Sequence, residues 1–109
     1  MVVSYPNNPT TAIAPDSFYR DLIAFARKYD IIVLHDNAYS ELVFDGETCG
    51  SFLRFEGARD VGVEFNSLSK TYGLAGARIG FCVGNREVDR KSTRLNSSHI
   101  QKSRMPSSA

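Results

Sequence analysis

Tryptophan is absent from this chain, and cysteine is nearly so, with Cys49 and Cys82 the only two among 109 residues. Two isolated thiols are too few for a disulfide framework or a zinc site, and suit reduced thiols in a cytoplasmic protein. His35 and His99 have no metal-ligand spacing around them, so no metal is expected. Long hydrophobic runs are missing too. None nears the roughly 20 residues of a membrane span, and the N-terminus has no signal-peptide pattern. Nor is there an excess of either charge: 13 basic and 12 acidic side chains leave a net of +1. That balance gives no reason to expect nucleic acid or a membrane surface as a partner. A length of 109 residues bounds the fold to one small domain with a feasible but marginal core.

What is present is an alternation of strand and helix signals. Val2-Val3-Ser4 reads as the end of a strand, entered without a turn or cap before it. Pro6 and Pro9 enclose Asn7 and Asn8 and enforce a loop. Pro15 suits the first turn of a helix. Phe18, Leu22, Phe25, Ala26 and Tyr29 then recur at helical spacing, with Asp16 near the start and Arg27 and Lys28 near the end, as the helix dipole favours. Ile31-Ile-Val-Leu34 is an unbroken apolar run of the kind a buried parallel strand shows. Strand, helix and strand in this order make a βαβ unit.

Beyond Asp36 a short helix is expected from Ala38 to Val43, then a surface loop over residues 45–60 anchored at Phe52 or Phe55. Val61 to Phe65 reads as another strand and Ala77 to Val83 as the last. The fold class is α/β, a partial, mostly parallel sheet flanked by helices. Residues 91–109 differ from the rest. Six of these 19 residues are serine, and Lys91, Arg94, Lys102 and Arg104 face no acid, leaving the first 90 residues a net of −3. This segment reads as a non-native or disordered tail resembling translated vector or adapter sequence, and its basic charge is not evidence for a ligand.

Three motifs carry chemistry. The first is Tyr5-Pro-Asn-Asn-Pro-Thr10, with Asn8 inside it. The second is His35-Asp-Asn-Ala-Tyr39, whose Asp36 closes an apolar strand and so places a carboxylate at the ligand-binding edge of an open α/β sheet. The third is Ser67-Leu-Ser-Lys-Thr-Tyr-Gly-Leu-Ala-Gly-Ala-Arg78, with one lysine between hydroxyls and an arginine eight residues on. Taken singly, each has a plain structural alternative. Lys70 is a solvated charge, Asp36 a helix cap, Tyr39 half-buried packing, Asn8 a turn residue and Gly76 a turn or bulge glycine. Ser69-Lys70-Thr71 lacks the glycines of a nucleotide P-loop, and Gly73, Gly76 and Gly80 are not spaced as a dinucleotide fingerprint.

Together, in this order, the three motifs resemble the class I/II aminotransferases, the pyridoxal-phosphate enzymes of the aspartate aminotransferase fold. The resemblance covers residues 1–90 and identifies them as a central fragment of the cofactor-binding large domain. It implies pyridoxal 5′-phosphate as cofactor, with Lys70 forming the Schiff base and shuttling a proton. It also implies Asp36 on the pyridine nitrogen, Asn8 and Tyr39 on the phenolic oxygen, and Ser67, Ser69 and Arg78 on the phosphate. The implied reaction moves an amino group between an L-amino acid and a 2-oxo acid, in a homodimer. Arg78 favours an aminotransferase over the carbon–sulfur lyases and synthases of the same fold, and the motif wording is closest to the diaminopimelate and alanine branch. A non-catalytic α/β remnant is the alternative from another class.

Two departures matter. The family's ring-stacking aromatic and carboxylate-binding arginine have no matching motif here, so the isolated chain is expected to be inactive. The family usually has glycine where Thr11 stands. A positive φ there costs energy in a β-branched residue, whereas a simple helix entry costs none.

Overall fold

The computed structural model describes residues 1–88, 90 and 91. The expectation of a non-native tail therefore falls, from residue 92 on, outside the described residues. Four strands, β1 (Val2–Ser4), β2 (Val33–Asp36), β3 (Gly62–Ser67) and β4 (Gly80–Gly84), lie side by side in chain order. The first three run parallel and β4 is antiparallel to β3. The sheet is thus mixed and mostly parallel, as an α/β reading requires.

Helix α1 (Asp16–Tyr29) connects β1 to β2. It starts from Pro15 in extended geometry and ends where Asp30 turns left-handed and donates its N–H to Ala26 O. Aspartate is one of the few residues that tolerates that conformation. The face it buries is Tyr19, Leu22, Ile23 and Ala26. Of the stripe expected from spacing, Leu22 and Ala26 are inside, while Phe25 and Tyr29 are 44% and 55% exposed and rest on each other. The apolar arc of this helix is wider than the face that packs, so Phe25 and Tyr29, at one edge of it, fall outside the core.

The core between α1 and the sheet contains Val33, Phe52, Ala58 and Val61. Phe52 is the buried anchor of the long loop, in a one-turn 3-10 helix (Phe52–Arg54), and Phe55 packs at its margin. Ala58–Val61 forms a single helical turn, α2, before β3.

Element bounds differ from the sequence reading for local reasons. Asp30 closes α1 through Ile31, whose N–H goes to Ala26 O, so pairing in β2 begins only at Val33. Val61 ends α2 and so cannot open β3. Ala75–Ala77 forms a 3-10 turn followed by Arg78 in the left-handed region, so β4 starts at Gly80. The helix expected over 38–43 is replaced by successive turns, Ser40 N–H to Asn37 O and Leu42 N–H to Tyr39 O. No helix among the described residues is long and apolar enough to cross a membrane.

Candidate active site

The carboxyl ends of β1, β2 and β3 lie together, with Ser4 paired to Asp36 and Asp36 to Phe65. The chain leaves each strand into one of the three motifs. This is the edge at which open α/β sheets hold ligands.

After β1 the loop is organised by Asn7, which the sequence reading passed over. Its Oδ1 accepts from Thr10 N–H and the Thr10 hydroxyl, and its Nδ2 donates to Ser4 O. The backbone closes with Asn7 N–H to Ala12 O and Thr11 N–H to Asn7 O. With that residue tied down, Asn8 points outward and donates from Nδ2 to the Tyr39 hydroxyl at 3.3 Å. Thr11 takes a φ of 61°, so the position does demand the left-handed region.

After β2, Asp36 is exposed, and its Oδ1 accepts the N–H of Ala38 at 3.2 Å. It caps the turn while its other oxygen stays available. After β3 comes the one-turn helix α3 (Leu68–Thr71), capped by Ser67 Oγ accepting from Ser69 N–H at 3.1 Å. Lys70 projects from α3 so that its Nζ lies 5.7 Å from the centroid of the Tyr39 ring, within cation–π range. It is exposed rather than buried.

Asn8, Tyr39 and Lys70 are thereby brought together. Asp36 and Ser67 meet on a neighbouring cleft of about 360 Å³, lined also by Ala38, Phe65 and Asn66. Arg78 is not joined to them. Its guanidinium folds back to donate to Ala75 O at 3.2 Å, within its own turn.

Beneath the site lies a buried polar cluster that motif reading missed. Glu64 Oε2 accepts from Phe52 N–H at 2.8 Å, the Ser51 hydroxyl at 3.0 Å and His35 Nδ1 at 3.2 Å, and Oε1 accepts from Asn66 Nδ2 at 3.0 Å. Burial alone would raise its pKa, but the hydrogen bonds of His35, Asn66 and Asn37 outweigh that and hold it at about 2. His35 is fully buried, and its Nε2 faces the Tyr19 hydroxyl at 3.5 Å. The available signal was a lone charged residue, Glu64, between the apolar Val63 and Phe65 of the strand.

The donor chemistry at this edge fits pyridoxal phosphate: an amine, a carboxylate, a hydrogen-bonded amide and phenol, and two serine hydroxyls. The profile of the aminotransferase class I and II family matches residues 1–109. The chain belongs to that family. An LL-diaminopimelate aminotransferase of Halothermothrix orenii is 58% identical over 86 residues, 79% of this chain and 22% of that protein. Substrate-bound BacF from Bacillus subtilis superposes with a TM-score of 0.84 at 39% identity, over 90% of this chain and 25% of its own. Aspartate aminotransferase from Thermus thermophilus with maleate gives 0.81 at 30% identity, over 91% of this chain and 25% of its own. The chain spans 21–25% of the length of the curated relatives it matches. Its sheet and flanking helices are a piece of the aminotransferase fold.

Proposed function

We propose that residues 1–90 are part of the cofactor-binding large domain of a pyridoxal-phosphate-dependent aminotransferase. The full-length protein, a cytoplasmic homodimer, moves an amino group between an L-amino acid and a 2-oxo acid. The observation that carries this reading is the convergence of Asn8, Tyr39 and Lys70, with Asn8 Nδ2 3.3 Å from the Tyr39 hydroxyl and Lys70 Nζ 5.7 Å from its ring.

When bound, the cofactor supplies an aldehyde that condenses with amines and an electron-poor ring that accepts charge from the substrate's α-carbon. Asp36 offers a carboxylate for the ring nitrogen and favours its protonated form. Asn8 and Tyr39 offer donors for the phenolic oxygen. Ser67, Ser69 and Arg78 hold the phosphate, Arg78 once it turns away from Ala75. Lys70 would supply the amine for covalent attachment and, when free, a base for the proton at the α-carbon. For the amino donor we infer an LL-diaminopimelate-type substrate, supported by the 58% identity to the Halothermothrix orenii relative.

The test is to load the full-length protein with pyridoxal phosphate, reduce with borohydride and map the adduct. Attachment at Lys70 bears the reading out, and attachment elsewhere or nowhere overturns it. Assays with LL-diaminopimelate and other amino donors decide the substrate, and elimination without transamination would make it a lyase. The isolated 109-residue chain should transaminate nothing, because orienting the substrate contributes a large share of the rate. Residues 91–109 we assign outside the domain on composition, although the family match runs across them. Sequencing the source gene across Arg90–Lys91 checks this, and an unbroken native frame through the serine-rich stretch would reverse the assignment.

A further inference from the structure

Glu64 belongs to none of the three motifs, yet its carboxylate joins the strands that carry two of them. His35, which donates to Glu64 Oε2, is the residue before Asp36 on β2. Asn66, which donates to Oε1, is the residue before Ser67 on β3 and lines the same 360 Å³ cleft. The remaining donors, Ser51 and the Phe52 N–H, fasten the long loop to the same carboxylate. Tyr19 of α1 approaches His35 from behind. Consecutive residues of a strand point to opposite faces. Holding His35 inward and Asn66 at the margin of the cleft therefore fixes how the adjoining Asp36 and Ser67 present themselves.

We propose that Glu64 is a positioning residue for the cofactor site, a buried carboxylate clamp that sets the relative placement of Asp36 and the Ser67–Lys70 turn. The inference rests on the reading of this edge as a pyridoxal-phosphate site. Glu64 does not itself line the cleft. It acts through His35 and Asn66, whose side chains both spend a donor on it. A carboxylate with only donors around it has no full substitute. Glutamine matches its size but removes the charge and turns one acceptor into an N–H₂ donor, which is met only if the Asn66 amide turns over to present its oxygen.

The experiment uses the full-length protein, comparing wild type with Glu64→Gln, Ser51→Ala and Val33→Ala. Val33→Ala is the control: it trims a fully buried core side chain on β2 that takes no part in the polar cluster. For each, the Tm of the apoprotein, the pyridoxal-phosphate Kd and the visible spectrum of the lysine adduct are measured. Glu64→Gln should weaken cofactor binding about fivefold or more, the lower range of coupling between linked sites, and shift the adduct band. Ser51→Ala, which removes one distant donor, should give a smaller change in the same direction, and it decides the matter if Glu64→Gln does not fold. Val33→Ala should lower Tm while leaving Kd and spectrum as in wild type. A Kd and spectrum that follow Tm equally in all three variants would make Glu64 merely structural and overturn the proposal. Wild type that forms no lysine adduct would instead overturn the functional reading, and this inference with it.

Discussion

Asn8 and Tyr39, 31 residues apart in the chain, share a hydrogen bond of 3.3 Å in which the Asn8 amide donates to the Tyr39 hydroxyl oxygen. That bond directs the phenol's own proton away from Asn8, and Asn8 retains a second N–H. Each therefore keeps one donor, supplied from separate motifs, that this bond does not use. A donor on the cofactor's phenolic oxygen withdraws density from it and loosens its hold on the neighbouring imine proton. In the full-length protein Tyr39→Phe should therefore raise the pH at which the lysine adduct changes colour. It should also lower the transamination rate by about tenfold or more. A spectrophotometric pH titration of the adduct checks the first, and unchanged titration would remove Tyr39 from the phenolic oxygen.

The acid limb of stability should carry the signature of Glu64. Its folded pKa lies at about 2 against an ordinary 4.5, because its hydrogen bonds favour the charged form over the cost of burial. Between those values the unfolded chain binds more protons than the folded one. The stabilisation is therefore fully present above pH 4.5 and lost as pH falls toward 2. Its size is at most about 3 kcal/mol. Apoprotein Tm measured from pH 6 downward should fall more steeply for wild type than for Glu64→Gln, with the two curves converging at the acid end. Parallel curves would show that Glu64 titrates normally.

Much of this was legible in the chain because the chemistry-bearing residues directly follow apolar strands. Asp36 follows Leu34 and His35, and Lys70 follows the strand ending at Ser67, so strand position alone puts them at one edge. What failed to show was angular and non-local. The wide apolar arc of α1 could not say that Tyr19 and Ile23 face inward while Phe25 and Tyr29 face water. Residues 38–43 have helical composition, yet their hydrogen bonds stop at one turn after another. Apart from Asn66, two positions on, the clamp on Glu64 joins residues 12 to 29 positions away, a separation no local pattern encodes. Arg78 matched its motif in sequence, but its left-handed backbone turns the guanidinium onto Ala75.

Gly62 opens β3 where two elements approach closely. A Cβ built there would sit 2.6 Å from Val33 O, 3.0 Å from Val33 Cβ and 3.1 Å from the Phe52 ring. The first contact is backbone in a paired strand and cannot swing aside. Gly62→Ala should destabilise by about 2 kcal/mol, within the usual range for overpacking, and lower Tm accordingly. Because Phe52 donates its N–H to Glu64, the same change should also disturb the clamp. Denaturant unfolding of the full-length variant is the check, and a loss below about 0.5 kcal/mol would mean that β2 and β3 separate freely at this point.

Thr11 makes the opposite case, a residue whose replacement should help. Its φ of 61° lies in the left-handed region, where a β-carbon costs about 1–2 kcal/mol and a β-branched side chain is worst placed. The conformation is held by Thr11 N–H to Asn7 O at 2.8 Å and Asn7 N–H to Ala12 O at 2.9 Å. The Thr11 hydroxyl is not needed for either bond. Thr11→Gly would relieve the strain and give back about 0.5–1 kcal/mol through the greater freedom of glycine in the unfolded chain. The net expectation is a gain of about 0.5–1 kcal/mol, read as a higher Tm. If the loop is what aims Asn8, the variant should also bind pyridoxal phosphate at least as tightly as wild type. A loss of affinity with a gain of Tm would mean that the strained threonine, not Asn7, sets the direction of Asn8.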